Sequence, residues 1–140
     1  MANETQLVDT LAGFALFADL ELPALERVAH MTEEVVYPAG EKVIRQGLTG
    51  SGLHVILEGA AAVILDGTER ARFGPGDFFG EISVLLGIPP VADIVASQDL
   101  RALVLAAPET EAFLLANPRV LYRMLQAMAR RLRAANRWSG

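Results

Sequence analysis

Residues 53–76 read LHVILEGAAAVILDGTERARFGPG, and this stretch decides the fold class. Three short runs, Leu53 to Leu57, Ala60 to Leu65 and Glu69 to Phe73, are each closed by a turn signal. The signals are Glu58-Gly59, Asp66-Gly67 and Gly74-Pro75-Gly76. Asp66-Gly67 is a tight-hairpin pair, because such turns need residues that tolerate positive φ. Working outward, Val35-Val36-Tyr37 stops at Pro38-Ala39-Gly40, and Lys42 to Arg45 stops at Gln46-Gly47. Asp93 to Ser97 and Leu100 to Ala106 close the series. Seven or eight short strands with glycine-marked turns predict a mainly β fold, an eight-stranded double-sheet jelly roll over residues 32–106. Phe79 to Leu86 breaks the pattern and reads as one or two turns of helix inserted between strands.

Helices flank the roll on both sides. Leu7, Val8, Leu11, Phe14 and Leu16 recur near helical spacing, with Gly13 weakening the pattern without destroying it. Pro23 suits the first turn of a second helix bearing Leu25, Val28 and Ala29. Pro108 opens another helix through Phe113, Leu114 and Leu115, and a longer one runs from Pro118 to Trp138. The expected organisation is one domain over residues 1–140, with N-terminal helices at 3–31 and C-terminal helices at 108–138.

Composition supports a globular chain that needs no covalent staple. At 140 residues and 52% hydrophobic, it can bury enough surface to fold without disulfide or structural metal. Cysteine is absent, which removes disulfides, thiolate metal sites and cysteine nucleophiles together. The net charge of −5 hides an asymmetry. All 17 acids lie in residues 1–118 with six Lys or Arg, a balance of −11. Residues 119–140 carry six arginines and no acid, a balance of +6. The polar, acidic N-terminus resembles no secretion signal, and apolar runs such as Ala102 to Ala107 are far too short to span a bilayer. A cytoplasmic location is the default expectation, with no membrane partner.

The glycine-rich segment Gly74-Pro75-Gly76-Asp77-Phe78-Phe79-Gly80-Glu81 fits neither the GxGxxG dinucleotide fingerprint nor a Walker loop. It leads into a short helix at Gly80, where unpartnered amides could cradle an anion. A purely structural turn, with Glu81 placed favourably at a helix start, accounts for the same residues.

Phe79-Gly80-Glu81-Ile82-Ser83-Val84-Leu85-Leu86-Gly87-Ile88-Pro89 resembles the phosphate-binding cassette of the cyclic-nucleotide-binding domain family. That family includes the bacterial cAMP receptor protein, protein kinase A regulatory subunits and nucleotide-gated channels. Pro38-Ala39-Gly40-Glu41, Gln46-Gly47, Leu53 to Gly59 and Pro75-Gly76-Asp77 fall where the family has strand-turn signatures. Arg130-Arg131-Leu132-Arg133 resembles the end of its long helix, so the resemblance covers roughly residues 10–137. It implies a ligand site at Gly80, Glu81, Ile82 and Ser83. Cassette amides would face a cyclic nucleotide or other small anion, and Glu81 would face the ribose 2′-hydroxyl. The family's phosphate-binding arginine and the hydroxyl residue after it are replaced by Pro90 and Val91. Asp93 stands where threonine is common.

Truncating a buried charge pair costs about 2–5 kcal/mol, so affinity is expected to fall roughly thirtyfold to a few thousandfold. Arg101, Arg123 and Arg130 are candidates to replace the missing cation.

On a helical wheel, Val120, Leu121, Met124, Leu125, Met128 and Leu132 form one apolar stripe. Leu121, Leu125, Met128 and Leu132 follow the 4-3-4 spacing of a helix-helix seam. Arg119, Arg123, Arg130 and Arg137 lie opposite, with Arg133 beside them. The stripe predicts either packing on the chain's own roll or a homodimer through this helix. DNA binding by this chain alone is not expected. Trp138 is the one aromatic after Arg123, the remainder of the chain is acidic, and the sequence ends at Gly140 where family transcription regulators continue into a helix-turn-helix.

Catalytic patterns are thin. His30 and His54 have no spacing partner, Ser83 lies in no GxSxG elbow, and two distant histidines do not make a cupin-type metal site. The expectation is a non-enzymatic module with no catalytic residue, metal or cofactor. Three readings stay open. One is a stand-alone cyclic-nucleotide sensor with weak or absent cAMP and cGMP binding, favoured by the retained Glu81. Another is a protein-interaction or dimerisation module with a disused pocket, favoured by Pro90 and Val91. The last is the ligand-binding piece of a transcription regulator whose DNA-binding output is absent here.

Overall fold

The computed structural model describes residues 3–48 and 52–136. Helix α1, Glu4–Ala12, begins at a reciprocal cap in which the Asn3 side chain accepts from the Gln6 amide and Gln6 accepts from the Asn3 amide. It ends at Gly13, and the chain re-forms only as a 3₁₀ turn over Ala15–Phe17. The helical spacing of Phe14 and Leu16 therefore does not belong to one continuous helix, as the sequence pattern suggested. Helix α2, Leu22–Met31, carries its proline in the first turn as expected.

The roll consists of two four-stranded sheets, every neighbouring pair antiparallel. One contains β1 (Glu33–Tyr37), β8 (Leu100–Leu105), β3 (Leu53–Glu58) and β6 (Phe78–Phe79), in that spatial order. The other contains β2 (Lys42–Ile44), β7 (Asp93–Ala96), β4 (Ala61–Leu65) and β5 (Thr68–Phe73). The expected jelly roll is what forms. Its sixth strand, Phe78–Phe79, overlaps the point where the sequence suggested the start of a helix. Helix α3 is shorter, Glu81–Leu86.

The apolar run of β3 is continuous because both of its faces are covered. Leu53, Val55 and Leu57 point to one cluster, with Phe78, Leu103 and Leu105 beside them. Helices α1, α2, α4 (Ala107–Ala116) and α5 (Pro118–Asn136), with Leu16 and Phe17 of the 3₁₀ turn, supply the rest of that cluster. Ile56, Phe79 and Leu100 point the other way, into the interior of the roll with Ile44, Ala61 and Ile94. The two phenylalanines of β6 thus face opposite clusters, as period-two side chains must.

Helix α5 buries Val120 and Met124 to 1% exposure, and Leu121, Ala127 and Met128 pack partly against the same core. Leu125 and Leu132 stay 55% and 64% exposed. Only part of the anticipated seam is thus free: Leu121 and Met128 help seat α5 on its own roll. Arg137 and Trp138 lie outside the described residues. No helix among the described residues is long and apolar enough to cross a membrane.

The start of α5 is also tied electrostatically. Asp19 accepts from Arg123 Nε at 2.8 Å and Nη2 at 3.1 Å, and Arg119 Nε approaches it at 3.3 Å. The Arg123 hydrogen bond leads in holding the Asp19 pKa down to about 2. A depressed carboxylate contributes stability above its unfolded pKa and loses it as pH falls through the folded value. The acid limb of unfolding should therefore steepen between about pH 4 and pH 2 in the wild type. Asp19→Asn should flatten it in pH-dependent thermal melts, and identical limbs would contradict the tie.

Candidate functional site

The cavity between α3 and the second sheet measures about 410 Å³. Ile44, Val63, Phe73 and Ile94 pave its sheet side, Phe79 comes from β6, and residues Gly80 to Val84 and Gly87 to Ala92 close it above. The predicted cassette residues Gly80, Glu81, Ile82 and Ser83 therefore line one pocket together with Pro90 and Val91.

Gly80 fixes how the chain enters α3. Its φ is +87°, and a Cβ there would lie 2.4 Å from the Gly52 carbonyl oxygen. Backbone sits against backbone, so no side chain fits at this position. Behind Phe79, the fully buried His54 ring stacks at 4.7 Å between centroids. Its Nδ1 lies 3.1 Å from the Gly52 carbonyl and its Nε2 lies 3.3 Å from the Tyr37 hydroxyl. An Nδ1–H donor and an Nε2 acceptor satisfy both contacts. Burial pushes the His54 pKa down to about 4, so the ring is neutral at pH 7 and serves as a structural strut. His30 is elsewhere, on the surface against Glu4.

Each polar side chain of the pocket is already engaged. Glu81, only 7% exposed, accepts from Arg131 Nη1 at 3.1 Å. The same guanidinium donates from Nη2 to the Phe78 carbonyl at 2.6 Å. It lies over the rings of Phe73 at 4.4 Å and Phe78 at 4.2 Å. Burial lowers the Arg131 pKa, opposed chiefly by the charge of Glu81, and an arginine so placed remains cationic. The Ser83 hydroxyl donates to the Ile88 carbonyl, folding the cassette's end back on its own helix. Asp93 accepts from the Gln46 amide at 2.8 Å and pairs with Lys42 at 3.1 Å. The Gln46 hydrogen bond leads in lowering its pKa.

Two of the three arginines proposed as substitutes pair away from the pocket. Arg101 joins Glu34 and Glu58 on neighbouring strands, and Arg123 holds Asp19. Arg130 is exposed and does not line the cavity. The arginine that reaches the cassette is Arg131, and it pairs with the Glu81 carboxylate. The signal was present in the sequence. Val120, Met124, Ala127 and Arg131 follow 4-3-4 spacing, so Arg131 continues the inward stripe and leaves the basic face. Pro90 is buried in the lining and its carbonyl accepts from the Gly47 amide at 2.9 Å, whereas Val91 is half-exposed at the rim. Among the described residues no group of His, Cys, Asp or Glu could hold a metal ion.

A paired set of antiparallel sheets with a glycine-started helix over an internal pocket is a known arrangement. The sequence profile of the cyclic nucleotide-binding domain family matches residues 34–117. The chain belongs to this family. A cAMP-dependent protein kinase regulatory subunit of Yarrowia lipolytica is 35% identical over 83 residues, which are 59% of this chain and 22% of that protein. The Thermus thermophilus catabolite activator protein superposes with a TM-score of 0.75 at 31% identity, over 87% of this chain and 60% of its own. A triple mutant of the regulatory subunit of a cAMP-independent protein kinase A from Trypanosoma brucei, bound to cAMP in the A site, gives 0.74 at 28% identity. It is matched over 88% of this chain and 47% of its own. This cyclic nucleotide-binding domain thus spans only part of the length of each of these relatives.

Removing Arg131 leaves Glu81 buried without its cation. Arg131→Ala should cost about 2–5 kcal/mol in urea unfolding, against at most about 0.5 kcal/mol for the exposed neighbour change Arg130→Ala. Equal effects of the two changes would contradict the assigned contact.

Proposed function

We propose that this chain is a non-catalytic regulatory module in which cAMP and cGMP bind weakly or not at all. The observation that carries this reading is the state of Glu81. The carboxylate that would receive a ribose hydroxyl is held by Arg131, and Pro90 and Val91 bring no cation to the pocket. The sequence reading took the retained Glu81 as a sign of nucleotide binding. Its pairing with Arg131 supplies another reason for its presence. The comparisons support a regulatory role, since the relatives include a kinase regulatory subunit and a catabolite activator protein. They also include a cAMP-independent kinase subunit whose cAMP-bound form carries substitutions, one of which introduces an arginine.

Calorimetry with cAMP, cGMP and cyclic dinucleotides up to millimolar concentration tests the reading. The wild type should give no saturable heat, and micromolar binding of any of them would overturn it. Pro90→Arg with Val91→Ser should raise cAMP affinity by roughly thirtyfold or more. Unchanged affinity would contradict the alignment of the cassette.

A second reading, a homodimeric interaction module acting through α5, is favoured by one observation. Leu125 and Leu132 share a helix face and remain exposed beyond the half-buried Leu121 and Met128. Light scattering should then show a wild-type dimer that Leu125→Glu converts to monomer, and a monomeric wild type ends this reading.

A further inference from the structure

The 410 Å³ cavity has a chemical character of its own, apart from the nucleotide contacts it lacks. Its sheet side is aliphatic and aromatic throughout, with the rings of Phe73 and Phe79 only 7° from parallel. Glu81 and Ser83 are its polar side chains, and both are spent on partners within the chain. Among the described residues no Lys, Arg or His lines it. Asp93, the nearby acid, is turned to Lys42 and the Gln46 amide. A cation would meet no free carboxylate here, and an anion would meet only the helix-start amides of α3 with no basic side chain, so an ionic guest loses more hydration than this lining returns. An apolar guest would instead release water from apolar walls, and the volume lies in the range of small-molecule sites. The mouth points the same way. Ile82 at 43%, Ile88 at 39% and Val91 at 51% exposure form an apolar lip that a bound molecule would cover.

We propose that this cavity binds an uncharged, predominantly apolar small molecule. The proposal rests on the preceding reading that the pocket does not serve cyclic nucleotides. The occupant sits between the second sheet and α3, in contact with the cassette whose Glu81 holds α5.

The uncharged fluorophore N-phenyl-1-naphthylamine is the probe, titrated into the full chain with neutral naphthalene and cAMP as competitors. The expected result is saturable enhancement at one site per chain, displaced by naphthalene and untouched by cAMP. Val63→Trp, which fills the cavity, and Val91→Asp, which places a charge on the exposed lip, should each weaken the probe roughly tenfold or more. Leu132→Glu, on the exposed face of α5, should leave affinity within about twofold. Because Val91 is half-exposed, its variant remains informative even if Val63→Trp fails to fold. Absence of saturable enhancement, indifference to Val91→Asp, or loss in Leu132→Glu would overturn the proposal. Failure here without heat from cAMP removes only this inference. Micromolar cAMP binding by the wild type removes the preceding reading instead.

Discussion

A guanidinium set against two phenylalanine rings joins the last described helix of this chain to the carboxylate that lines its pocket. Arg131 meets Glu81, the Phe78 carbonyl and the faces of Phe73 and Phe78 at once. None of these contacts is large when exposed to water. Together, and with Glu81 nearly buried, they form a charge-assisted cluster in a region of low effective dielectric, where losing one member is costly. Lysine could not replace this arginine, because a point ammonium cannot donate to two acceptors while stacking flat on two rings. The position of α5, the state of Glu81 and the chemistry left in the pocket all follow from this contact.

Two backbone constraints make the contact reachable. Gly80 lets β6 run directly against Gly52 before α3 begins, which sets Glu81 at the start of the helix and inside the roll. The split of Phe78 and Phe79 between the two core clusters then presents the Phe78 carbonyl and ring to α5 while Phe79 seals the pocket floor. At the other end of α5, Arg119 and Arg123 grip Asp19. Three of the helix's arginines are therefore committed to acids of the remaining chain. The charge asymmetry of the sequence is resolved inside the molecule to that extent.

The roll was largely legible in the sequence because its strands end at glycines, and a turn residue is a local signal. Asp66-Gly67 and Gly74-Pro75-Gly76 needed no knowledge of the partner strands. Phe78–Phe79 was not legible as a strand, since two residues cannot display a period. Their pairing with His54 and Val55 is a tertiary fact. At Gly13 the spacing of apolar residues continues across a break in the helical backbone, so periodicity alone does not show the break. In the site, the pocket residues Gly80, Glu81, Pro90 and Val91 were visible as residues. The partner of Glu81 was not, because Arg131 lies 50 positions away and no local signal ties the two. The spacing from Val120 through Met124 and Ala127 would have separated Arg131 from the basic face.

The central claim is that Arg131 and Glu81 stabilise one another specifically, beyond what each contributes by size and burial. A double-mutant cycle measures this directly, with Glu81→Gln, Arg131→Met and the double variant unfolded in urea at neutral pH. The account predicts a coupling energy of about 1.5 kcal/mol or more. Additive effects, with a coupling within about 0.5 kcal/mol of zero, would contradict it.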